Sequence, residues 1–460
     1  MSSKRTLFTG CRIVDTDTDI PRGWILTEGD IIADFGAGDP DGTVTARADS
    51  TADASGLVAM PGVIDTHVHF REPGLTHKAT IASESRAAAA GGVTTFFDMP
   101  NTNPPTVTSG AWDDKMRRAK ESSLINYAFF VGATPDNIDW LASLDFTDRP
   151  GVKLFMGSTT GTTAAGSGEW IDDLFSKVKA VIAVHAEDDS IIADAQKAAI
   201  EKYGSTEAVP IEEHPLIRTR QACVDSSRLI TSIAQSHNHR LHVCHISTAD
   251  ELALFTPGTD PSAKLITAET CPQYLTFDSD DYKRLGARIK CNPSIKTLTD
   301  REALNAALST GKIDTIATDH APHLIADKTG GALKVASGMP GVQFALPLML
   351  EKTLDAHLTL QSVSRLMSGN PATIFSIDRR GFIRRGYHAD LVFVKANTTP
   401  RTITDSDVES ICGWTPYAGI ELTYSVQSTW VNGTCVYAEG IFPELDTPAA
   451  APVKFKGTQS

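Results

Sequence analysis

The chain has 460 residues, 41% of them hydrophobic, and a formal net charge of −14. That length suffices for two or three ordinary domains, no run approaches the roughly 18 apolar residues of a membrane span, and an acidic chain without basic clusters is a poor binder of nucleic acid or anionic membrane. Its seven cysteines are scattered, odd in number and without a CxxC pair, which argues against a disulfide framework or a thiolate zinc site and, with no export signal read at the N-terminus, fits a cytoplasmic protein.

Residues 1–57 hold short β-like pieces, "RIVDTD" and "WILTEGDIIADFG", and no helical pattern. Then eight strand-length apolar runs follow: "GVIDTHVHF" (62–70), "TTFFDMP" (94–100), "NYAFFVGA" (126–133), "VKLFMG" (152–157), "AVIAVHAE" (180–187), "LHVCHIS" (241–247), "KLITAETC" (264–271) and "DTIATDHA" (314–321). Helical patterns separate most of them. "KATIASESRAAAAGG" ends in paired glycines, as a helix C-terminus does, and "TRQACVDSSRLITSIAQSH" and "DREALNAALSTG" place apolar residues three and four apart. Strand–helix alternation repeated eight times predicts an α/β fold, a (β/α)8 TIM-like barrel over 58–385. Residues 386–460 return to β-like pieces, "DLVFVK" and "STWVNGTCVYAEGIF". The expectation is a small β-sandwich built from 1–57 and 386–460, with the barrel inserted between. The Pro/Ala-rich tail "ELDTPAAAPVKFKGTQS" is expected to wrap the surface or be partly mobile.

Residues i and i+2 of a strand share a face, so His67 and His69 project together from the end of the first run. Lys153, His185, His245 and Asp319 lie near the ends of the fourth, fifth, sixth and eighth runs. The C-terminal ends of barrel strands are where such a fold does chemistry. Four histidines and an aspartate suit a borderline divalent ion such as zinc. The residues alone also admit hydrogen-bonded barrel histidines and a Lys153 paired with a carboxylate.

The ordered motifs "PGVIDTHVHFREPG", "GGVTTFFDMPNTNPPT", "GVKLFMGS", "VHAED", "HVCHIST", "CNPSIKTLTDREAL", "ATDHAPH" and "ASGMPGVQ" resemble the cyclic amidohydrolases of the amidohydrolase superfamily, most closely the dihydroorotases. The resemblance spans about residues 55–440. It implies a pair of divalent ions, zinc by preference. His67, His69 and Asp319 would hold the more buried ion and His185 and His245 the other, with N6-carboxylated Lys153 and a hydroxide as bridges. Asp319 would also move the proton, as general base and then acid. Arg71, Asn101 and His323 would bind a substrate carboxylate, Asn292 the ring, and the backbone of the "ASG" stretch (Ala336 and Gly338) the ring edge. A rim ion pair with Glu72 is the plain alternative for Arg71. The Gly-rich segment 324–341 is expected to be mobile or to face the substrate. His242 is expected on the opposite strand face from His245, as a structural residue, and His320 is expected to point away from the site. The remaining histidines read as surface or packing residues.

The reaction implied is reversible cyclisation of N-carbamoyl-L-aspartate to (S)-dihydroorotate in pyrimidine biosynthesis. Two features depart from that pattern. Some dihydroorotases of this length carry aspartate at the Lys153 position, and "ETCPQYLTF" (269–277) is closer to hydantoinases and allantoinases. An allantoinase or a hydantoinase/dihydropyrimidinase is therefore the alternative, and a non-catalytic homologue a further one. The partner expected is a small molecule, not nucleic acid or membrane. A homodimer or homotetramer is compatible with the sequence, which does not choose between them.

Overall fold

Each of the eight apolar runs carries a strand in the computed structural model, which describes residues 4–158, 168–355 and 357–457. The chain opens with β1 (Arg5–Val14), β2 (Asp19–Glu28) and β3 (Ile31–Ala37), paired antiparallel in sequence order. β4 (Ser50–Asp53) and β5 (Val58–Pro61) then run parallel to β1.

The barrel follows. Its strands are β6 (Val63–Val68), β7 (Val93–Asp98), β8 (Asn126–Phe129), β9 (Val131–Gly132), β10 (Val152–Phe155), β11 (Ile182–His185), β12 (Leu241–Val243), β13 (Ile266–Thr270) and β14 (Thr315–Ile316). The run 126–133 is broken at Phe130, so its first half pairs with β7 and its second with β10. All pairings are parallel, and every residue of these strands is buried, which is why they read as near-continuous apolar runs. The ring closes where the His69 amide donates to the His320 carbonyl at 2.8 Å.

Helices cover the outside. α1 (Ile81–Ala90) starts on a Thr80 cap and ends at Gly91–Gly92; α2 (Ser109–Ser122) is capped by Thr108. α3 (Asp189–Tyr203), α4 (Arg220–Ser236) and α5 (Leu298–Thr310) are capped by Asp188, Thr219 and Thr297. Each cap oxygen accepts an amide hydrogen that the first helical turn leaves without a partner. Among the described residues no helix is long and apolar enough to cross a membrane.

The last strands, β15 (Leu391–Thr402), β16 (Glu421–Val431) and β17 (Thr434–Ala438), rejoin the first five, β15 lying antiparallel to β5. The order is β17-β16-β15-β5-β1-β2-β3, with β4 on β1. Hydrogen bonds thus link all eight strands of the two termini into one sheet, which bulges in β1, β2, β15 and β16 bend. Phe8 of β1 packs with its ring centre 4.9 Å from that of Phe393 and edge-on to Trp430 at 4.8 Å, in the apolar cluster on one face of the sheet. A buried polar joint ties this sheet to the barrel: Asp390 accepts from Arg380, from the Asn126 amide and from the Asn432 backbone.

Most of the tail lies on the surface, but it is docked there. Its backbone lies along Tyr127, and Val453 (1% exposed) and Phe455 (6%) enter the barrel's lower core beside Phe97, Phe130 and Phe375. Two apolar residues in a Pro/Ala-rich segment are enough to dock it, because the barrel interior leaves an apolar opening there.

Candidate metal centre

Opposite the tail, at the C-terminal ends of the strands, a pocket of about 390 Å³ opens. His67, His69, Lys153, His185, His245 and Asp319 all line it, as do Arg71, Asn101, Asn292 and Gly338. Two residues expected there are not on its wall. Ala336 turns its carbonyl to Lys328, and Ser337 stands beside Gly338 instead; His323 lies behind Arg71.

Strand alternation alone would not assemble this set. Arg71, His245 and Asp319 have φ of 66°, 43° and 48°. Non-glycine residues seldom adopt that left-handed backbone, and such strain gathers at functional sites. It also corrects the reading of His242. His242 and His245 are an odd number of residues apart, yet both face inward, because the chain turns at His245. His242 lies below the centre, its Nδ1 2.9 Å from Thr267 and its Nε2 3.4 Å from Glu269. His320 does point away: its Nδ1 accepts from the Gly341 amide and its Nε2 donates to Glu84 at 2.8 Å.

Hydrogen bonds fix the tautomers of the inner histidines. His67 Nδ1 donates to Glu269 at 2.7 Å, and His69 Nδ1 donates to Asn101 Oδ1 at 2.7 Å. Both Nε2 atoms are left with bare lone pairs. They face Asp319 Oδ1 at 3.4 and 3.1 Å. His185 places Nε2 3.0 Å from Glu187 and Nδ1 2.9 Å from His245 Nε2. Burial holds the His69 imidazole down to about 3, with Arg71 adding to the effect, and holds His67 and His245 down as well. Burial pushes the Asp319 carboxyl up. Neutral imidazoles and a carboxylate converging on one point repel one another unless a cation lies between, so His67, His69 and Asp319 fit a divalent ion.

Lys153 is fully buried, its Nζ 3.1 Å from Cys244 Sγ and 5.2 Å from the Phe155 ring centre. The alternative of a carboxylate partner finds no support among the described residues. Arg71 is 2% exposed and likewise not in a rim ion pair: Glu72 bonds Arg118 at 3.1 Å. Its guanidinium contacts the Pro322 carbonyl and His323 Nε2. Burial lowers it to about 10, which leaves it cationic. Asn292 Oδ1 is buried on the wall and has no hydrogen-bond partner among the described residues.

Glu269 was not singled out from the sequence as a site residue. Besides His67 it accepts from Thr66 Oγ1 at 3.2 Å and from the His245 amide at 3.4 Å. Against the opposing effect of burial, His67 and His242 hold its carboxyl well below the usual range. A glutamate in the middle of an apolar strand was the available signal. Glu187 is similar, joined to Arg218 at 2.6 Å behind His185.

The amidohydrolase family profile matches residues 58–436. A dihydroorotase of Halobacterium salinarum is 35% identical over 381 residues, covering 82% of this chain and 86% of its own. An allantoinase of Deinococcus radiodurans is 33% identical over 410 residues, covering 87% and 89%. The solved L-hydantoinase of Arthrobacter aurescens has a TM-score of 0.89 at 25% identity, covering 99% of this chain and all of that one. The solved L-hydantoinase shares the fold along this chain's whole length, and the names of these relatives mark hydrolases of cyclic amides, the reaction class of this chain. The chain belongs to the amidohydrolase family.

Proposed function

We propose that the chain is a dihydroorotase, interconverting N-carbamoyl-L-aspartate and (S)-dihydroorotate plus water in pyrimidine (UMP) biosynthesis. The observation that carries this choice is Arg71, a buried cation on the pocket wall whose contacts are a carbonyl and an imidazole rather than a carboxylate. Leaving such a charge without an anion is costly. A substrate carboxylate supplies the anion, and its two oxygens suit a guanidinium. Neither hydantoin nor allantoin carries a carboxylate.

His67, His69 and Asp319 would hold one divalent ion, zinc by preference, and His185 and His245 a second. Lys153 would join them as a carbamate, formed when its neutral amine adds carbon dioxide and releases a proton to water, which turns the side chain into an anionic ligand. When bound, such a pair of ions acidifies a water near neutral pH and polarises the ring carbonyl. Arg71 clamps the carboxylate, with His323 behind it and Asn101 beside it. Asn292 Oδ1 has an acceptor to offer a ring N–H. Asp319 takes the proton of the attacking water and returns it to the departing ring nitrogen, and in ring closure the same transfers run backwards.

An allantoinase or hydantoinase is the second reading, favoured by relatives with those names at comparable identity. Assaying dihydroorotate, allantoin and 5-substituted hydantoins on the metal-loaded protein decides between them. Turnover of allantoin or hydantoins with none of dihydroorotate would sink the dihydroorotase reading.

A further inference from the structure

Lys328 lies in the segment after the last barrel strand and is 5% exposed. A buried ammonium has three protons to place. Here each meets a backbone carbonyl: Lys290 at 3.0 Å, Ala336 at 2.8 Å and Gly338 at 2.8 Å. These oxygens belong to two stretches distant in sequence. One leads into Asn292, and the other holds Ser337 and Gly338; together they form one side of the pocket. Two more bonds join the same stretches, from the Gly338 amide to the Lys290 carbonyl at 2.9 Å and from the Lys290 ammonium to the Val335 carbonyl. The fit is close. Gly338 has φ of 129°, and a Cβ there would sit 2.6 Å from the Ala321 carbonyl.

Lys328 itself is not on the pocket wall. A packing role would be met better by methionine or leucine, since a buried charge is costly unless fully bonded. We propose that Lys328 is a positioning residue whose ammonium, clasped by the carbonyls of Lys290, Ala336 and Gly338, sets the spacing of the Asn292 and Ser337–Gly338 walls around the substrate ring. The segment 324–341 is then a fixed wall rather than a free lid. This rests on reading the pocket as the substrate site.

The test is Lys328→Ala, assayed with whichever of dihydroorotate, allantoin or hydantoin the wild type turns over. Loss of charge-assisted bonds predicts a KM raised roughly tenfold or more, with kcat and bound metal close to wild type. Ethylammonium chloride, which fills the vacated space and restores the donors, should bring KM back down. An unchanged KM, a KM deaf to ethylammonium, or joint loss of kcat and metal would overturn the proposal. Should the variant not accumulate in soluble form, hydrogen exchange on the wild type decides: the Gly338 amide should be as protected as the barrel-strand amides without ligand, and fast exchange there overturns the clasp. Turnover of allantoin alone would fail the dihydroorotase reading and leave this test intact.

Discussion

The Glu269 carboxylate stands 2.7 Å from Nδ1 of His67, with both residues 1% exposed. The contact settles which imidazole nitrogen carries the proton, and so aims the bare Nε2 at Asp319. Glu269→Gln keeps the shape but offers a neutral amide in place of the carboxylate. Metal affinity should fall roughly 10- to 100-fold, the usual cost of losing a carboxylate behind a ligating histidine. Metal retained against a graded chelator series measures this; retention equal to wild type would show that Glu269 does not aim His67.

Arg71→Met separates substrate binding from metal binding. The change removes a buried charge that has the Pro322 carbonyl and His323 as its protein contacts. Losing one partner of a buried charge pair costs about 2 kcal/mol or more, so KM for dihydroorotate should rise roughly 30-fold or beyond. Metal content should stay near wild type. Metal lost together with affinity would mean that Arg71 supports the centre rather than the substrate.

Lys153→Ala removes the one proposed ligand that requires chemical modification. With the carbamate gone, the histidine pair 185 and 245 faces the inner set with nothing between them. Metal and activity are expected to disappear together, read by elemental analysis and turnover on the same sample. An active Lys153→Ala enzyme rejects the bridging role.

Much of this site was legible because strand periodicity and barrel geometry are simple. His67, Lys153 and His185 sit on strands and His69 directly follows β6, and their runs end where the pocket opens. His245 and Asp319 were read from the ends of their apolar runs, although their left-handed backbones break the alternation on which the reading of His242 relied. Glu269 lay inside an apolar run, where a single acid has no periodic signature; the inward meeting of β6, β12 and β13 gives it its histidine partners. Ala336 was assigned from a motif whose neighbour, Ser337, is the residue that reaches the wall. The anchoring of the tail by Val453 and Phe455 was not legible in its composition, because docking depends on core residues supplied by other elements.

Phe455 tests that docking. Its ring lies 5.7 Å from Phe97 in the barrel's lower core, at the end away from the pocket. Phe455→Ala should cost about 3 kcal/mol, as buried Phe-to-Ala changes do. Denaturant unfolding should shift accordingly while kcat stays near wild type. An unchanged midpoint would mean the tail is not bound in solution.

His214 provides a pH test away from the metal centre. It is 2% exposed, and its Nε2 donates to the Cys291 carbonyl at 2.9 Å. Burial, aided by the nearby Lys290 ammonium, holds its pKa well below the ordinary 6.5. In the unfolded chain the same imidazole titrates near 6.5. Below that pH the unfolded state binds a proton that the folded state refuses, so stability falls as pH drops. His214→Gln retains an N–H donor and cannot protonate. Its stability should therefore fall less than wild type as pH drops from 7 to 5.5. Acid release of metal affects both proteins alike and cancels in the difference. Parallel stability curves for the two would show that His214 accepts its proton without unfolding.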